Sequence, residues 1–117
     1  MVSLPSILMA DFSIKAELKK SFKKARDKEL SIDERYLAYR SFFNDARGFL
    51  DENSGINEKI DKIEYRRFNP NLGILMGNMP QFEKIKRYDD LLPLTLKQLS
   101  DNKIIDIDEF AEADQAG

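Results

Sequence analysis

The stretch Ser31–Asn53, SIDERYLAYRSFFNDARGFLDEN, constrains this chain more than any other. Ile32, Tyr36, Tyr39, Phe43, Ala46 and Leu50 recur at alternating steps of four and three, the spacing of one face of an α-helix. Leu37, Phe42 and Phe49 widen that face, so the helix is expected to touch neighbours on two sides. Ser31 with Glu34 three residues on has the form of a capping box. Asn53, Ser54 and Gly55 supply a stop, with Gly55 able to take the left-handed conformation. The spacing predicts one long central helix over about 32–52.

Helical periodicity continues on both sides. Ile14, Leu18, Phe22 and Ala25 predict a first helix, capped by Asp11 or Ser13 and running to about Glu29. The short link to Ser31 favours an antiparallel helical hairpin. Ile56, Ile60 and Ile63 predict a third helix to about Phe68, ended by Asn69-Pro70-Asn71. Pro80 opens a fourth over Gln81–Tyr88, with Phe82 and Ile85 inward. Asp90 caps a fifth from Leu91 to Leu99, with Leu92, Leu96 and Leu99 as its stripe, backed by Leu91 and Leu94. Ile104 to Asp108 is a short extended piece or leads into a last short helix. The expectation is an all-α single domain of five to six helices over 11–113, with an N-terminal arm over 1–10 and a disordered tail over 114–117.

At 117 residues there is room for one core. The chain has neither cysteine nor histidine, so disulfides, thiolate chemistry and the usual general base are missing. This composition fits a reducing compartment, and a cytoplasmic location is expected. No apolar run approaches the roughly 20 residues that span a bilayer. MVSLPSILMA lacks a basic flank and is read as an arm rather than a signal peptide.

The net charge of −2 is unevenly spread. Residues 1–30 carry seven Lys/Arg against four Asp/Glu, and residues 31–99 carry eleven of each. Residues 100–117 carry one Lys against six Asp/Glu. A basic front and an acidic end either meet, within the fold or between copies, or greet different partners.

Five stretches carry residue types that chemistry or binding could use. Lys15, Lys19, Lys20, Lys23 and Lys24 form a basic ridge on the first helix that suits phosphates, although a pI near 5.2 argues against nucleic acid. Gly55 between two helices suggests a helix-turn-helix, but Asp51 and Asp61 then fall where that motif needs small or apolar residues. Gln98–Phe110 resembles half of a calcium loop, but too few carboxylates converge and Lys103 occupies the glycine position. Asp89/Asp90 and Asp106/Asp108/Glu109 are explained as helix-capping acids, and no catalytic residue, metal or cofactor is expected. Asn69–Pro80 is apolar and uncharged; Leu72, Ile74, Leu75, Met76 and Met79 are either a buried connector or a partner site.

By elimination, the sequence reads as a non-enzymatic protein-binding module: an adaptor, inhibitor, immunity-type or regulatory subunit. Its expected contact residues are Tyr36, Tyr39, Phe42 and Phe49 with Leu72, Ile74, Leu75, Met76 and Met79. A homodimer through the first two helices is the simplest partner, with the basic front against the acidic end of the second copy. Nucleic-acid binding through the lysine ridge and a purely structural homo-oligomer are the alternatives, and no membrane partner is expected.

Overall fold

A computed structural model describes residues 3–64, 68–69, 71–75 and 79–110, with side chains from 14 onward outside the paired segment 68–69 and 74–75. The architecture is all-α. Helices α1 (Ser3–Ala25), α2 (Ile32–Ala46), α3 (Ile56–Glu64) and α4 (Gln81–Asp101) carry it, and 107–110 adds a helical turn.

Contacts show how the helices run. Arg35 donates to the Ala25 carbonyl at 2.9 Å, and Ser21 meets Ser41 at 3.4 Å, so α1 and α2 are antiparallel as expected. Tyr36 lies against Lys84, Tyr39 against Tyr88, and Asp51 against Gln98, so α4 runs alongside α2 in the same sense. Rings fill the space between them: Phe22, Phe42 and Phe110 on one side, and Tyr39, Phe43 and Tyr88 on the other, at centroid distances of 4.7–6.4 Å. Leu18, Ala25, Ile56, Ile60, Ile63, Leu92 and Leu99 complete the core, as their periodicity requires.

Several boundaries differ from the sequence reading. Helix α1 begins at Ser3, so the segment read as an arm is largely helical. That start puts Pro5 in the first turn, where its missing N–H has no intrahelical partner to lose. Helix α2 stops at Ala46, short of the expected 52, and gives way to 3₁₀ turns at Arg47–Phe49 and Glu52–Ser54. Gly48 is a poor helix residue, and α4 takes up the backbone groups that are freed. Asn102 donates to the Phe49 carbonyl at 2.9 Å, and the Asp51 N–H donates to Gln98 Oε1 at 3.0 Å. Gly55 does adopt φ 79°. At the other end of α2, Ser31 Oγ accepts from the Glu34 N–H at 3.2 Å. The Glu34 carboxylate returns to the Ser31 hydroxyl rather than to a backbone N–H.

The two helices expected at Gln81–Tyr88 and Leu91–Leu99 are one, with Pro93 inside it. An internal proline costs about 3 kcal/mol. Here burial of Tyr88, Leu91, Leu92, Thr95 and Leu99 on both sides of it outweighs that cost. Phe82 and Leu94, expected inward, are 54% and 43% exposed. Helix α4 ends in a Schellman motif: the Ile104 N–H reaches the Leu99 carbonyl, the Lys103 N–H reaches Ser100, and Lys103 takes φ 62°. The apolar connector contains a short antiparallel pairing, Phe68 with Leu75 and Asn69 with Ile74, turned through Gly73 at φ 64°. Two-residue strands are too short to show alternation, but Asn69-Pro70-Asn71-Leu72-Gly73 is a turn signal. Arg66, Arg67, Met76 and the expected tail at 114–117 lie outside the described residues.

Candidate functional site

The expected aromatic surface of α2 is absent, because its own chain covers it. Tyr36 is 6% exposed, and Tyr39 and Phe42 are fully buried. Phe49 is half-buried in the turn after α2. Ile32 and Leu37, assigned to the core face, are 51% and 58% exposed. The sequence stripe was wider than the buried one: α1 and α4 between them cover the rings, while Leu37 points out of the α1–α2 seam.

Hydroxyls at the rim of the buried face close on two carboxylates. Glu64, at the end of α3, accepts from Tyr36 Oη at 2.6 Å and from Tyr88 Oη, with Lys84 Nζ at 3.7 Å. The Lys84 and Glu64 side chains are 8% and 15% exposed, and the ammonium lies 5.2 Å from the Tyr36 ring centroid. Asp89 on α4 accepts from Tyr39 Oη and from Arg26 Nη1 at 2.8 Å. Burial, then the bond to Glu64, pushes the Tyr36 phenol up to about 12. Burial, then the bond to Asp89, does the same for Tyr39. Tyr88 is raised further, chiefly by burial and then by Glu64. These phenols are therefore neutral hydrogen-bond donors that tie α2, α3 and α4 together. Lys84 and Glu64 escaped the sequence reading; the available signal was Lys84 four residues before Tyr88 on an otherwise apolar face.

The acidic groups considered for calcium or catalysis are not gathered. Among the described residues no cluster of three or more carboxylates has metal-binding spacing. Asp106 accepts from the Asp108 N–H at 3.0 Å and so caps the final turn. Among the described residues the basic front and the acidic end meet at Lys15 and Glu109, 3.9 Å apart. Lys19, Lys20, Lys23 and Lys24 are exposed.

Two surfaces remain. One lies at the α3–α4 connection, where Leu72 is 64% exposed at the hairpin turn and Phe82 is 54% exposed on the first turn of α4. Met79 between them is half-buried; Ile74 and Leu75 lie in the paired segment. The other is a shallow groove of ≈ 420 Å³ between α1 and α2, floored by Ser21 and Ala38 and rimmed by Lys20, Lys24, Leu37 and Ser41. Among the described residues no helix is long and apolar enough to cross a membrane.

The fold defines a small all-α domain whose buried ionisable groups, Glu64, Lys84, Tyr36 and Tyr88, bind one another. Comparison with protein-family models, curated proteins and solved structures finds no match.

Proposed function

We propose that this chain is a non-catalytic protein-binding module that presents the α3–α4 connection to an apolar site on another protein. The exposure of Leu72 within that connection and of Phe82 just after it carries the reading. Exposed apolar side chains that form one patch are a common mark of a partner surface, and this reading places Leu72 and Phe82 in one. The arrangement of the buried ionisable groups supports binding over catalysis: Glu64, Lys84, Tyr36 and Tyr88 spend their hydrogen bonds on each other. A cytoplasmic location accompanies this reading and rests on the cysteine-free composition.

A photo-crosslinking residue at position 72 tests it in extract from the native cell. The expected result is a discrete protein adduct that survives nuclease and disappears when Phe82→Glu is added. An adduct indifferent to Phe82→Glu, or one lost to nuclease, overturns it. A second reading, nucleic-acid binding, draws on the exposure of Lys19, Lys20, Lys23 and Lys24. It predicts binding that weakens steeply with salt, whereas an apolar protein contact responds little.

A further inference from the structure

We propose that a second copy of this chain seats its Asp106-Ile107-Asp108 turn in the groove between α1 and α2, reciprocally, to form a dimer. The two features complement each other in charge and in polarity. The turn offers Ile107, 42% exposed, between two exposed carboxylates. The groove offers Leu37, 58% exposed, beside the exposed ammonium groups of Lys20 and Lys24. Buried Ser21 and Ala38 floor it and exposed Ser41 lies beside them, all small side chains that leave room for a branched one to enter. The groove's carboxylates lie toward its ends. Glu34 is engaged by the Ser31 hydroxyl, and Glu17 lies near Asp45, whose carboxyl is raised by burial and then by Glu17.

The turn cannot enter the groove of its own chain. Phe110 packs on Phe22 at 5.1 Å and Glu109 reaches Lys15, which fixes the turn against the Lys15–Phe22 flank of α1. Glu17, Ser21 and Lys24 line the groove half a helical turn away, on the opposite flank. With α1 standing between them, only another molecule can bring the two together. A two-fold axis makes the exchange mutual: each groove receives the other copy's turn and the assembly closes at two chains. The apolar insertion supplies the attraction, and the rim charges set the register and exclude wrong pairings. This surface is separate from Leu72 and Phe82, so either reading can fail alone.

Sedimentation velocity on the full chain, with charge-swapped variants, tests the proposal. The wild type is expected to shift from monomer to dimer with rising concentration, up to about 1 mM. Lys20→Glu with Lys24→Glu is expected to weaken the dimer about tenfold or more, and so is Asp106→Asn with Asp108→Lys, in which asparagine keeps the cap. Mixing the two variants restores a heterodimer, because each groove then meets a turn of opposite charge. That recovery also shows that both variants are folded. A wild type that stays monomeric, swaps that leave the dimer intact, or a mixture that fails to pair each overturns the proposal.

Discussion

On its inner side α2 presents Tyr36, Tyr39, Phe42, Phe43 and Ala46 to its neighbours, each at most 6% exposed. Leu37 on its outer side and Ile32 at its first residue are more than half exposed, although both are expected in the apolar stripe. The two sides differ in what covers them. The inner side meets α1 and α4, and its phenols find Glu64 and Asp89 at the rim. On the outer side Leu37 borders an open groove against the basic shoulder of α1. A helix as rich in aromatic and aliphatic residues as this one is therefore neither wholly core nor wholly surface; the number of neighbouring helices decides how wide its buried stripe becomes.

The sharpest test of that contrast is Phe42→Ala. Its ring lies 6.1 Å from Phe22 and 5.3 Å from Phe43, so truncation opens a cavity amid rings. Denaturant unfolding is expected to show a loss of about 3–5 kcal/mol. Next comes Glu64→Ala, which strands the Lys84 ammonium and two phenols in a buried setting. A loss of about 3 kcal/mol is expected, and Glu64→Gln with Lys84→Met should recover part of it. Asp89→Ala is expected to cost about 1–2 kcal/mol. Its Arg26 partner is a third exposed and can turn to water, so water screening makes that ion pair the weaker of the two ties. Equal losses at Glu64 and Asp89 would break the distinction between them.

Alkaline pH probes the same rim. The folded phenols of Tyr36 and Tyr39 titrate near 12, above the ordinary value of 10.0. Between those values the unfolded chain has released these protons and the folded chain has kept them. Stability is therefore complete below pH 10 and falls as pH rises toward 12. Thermal melts across that window should show the decline, and Tyr39→Phe should make it shallower. The smallest effect belongs to the outer side: Leu37→Lys is expected to change stability by less than about 0.5 kcal/mol. A large loss there would mean that Leu37 is part of the core after all.

Much of the core was legible in advance. Spacing alone puts Leu18, Phe22, Ala25, Ile56, Ile60 and Ile63 inward, and all are buried. The antiparallel α1–α2 pair and the left-handed Gly55 were equally readable. The errors lie where one local signal competed with packing. Asp90 and Pro93 look like a helix start, yet α4 runs through them. Phe82, Leu94 and Leu37 look like core residues, yet each lies open. The groove was not legible, because it takes residues from two helices and the link between them. The Glu64–Lys84 pair was only half legible: Lys84 shares the apolar face of Tyr88, but nothing near Glu64 in the chain marks it as the partner.

What the sequence determined by itself is the class: an all-α chain whose apolar steps of three and four commit it to amphipathic helices, because that spacing lines up side chains only on an α-helical backbone. What only the tertiary structure decided is which parts of those stripes are covered, where α2 stops, that α4 is one helix, and which acids meet which bases. Those outcomes depend on contacts between residues tens of positions apart. Burial there changes the free energy by more than local propensity does, so no window of sequence contains the answer.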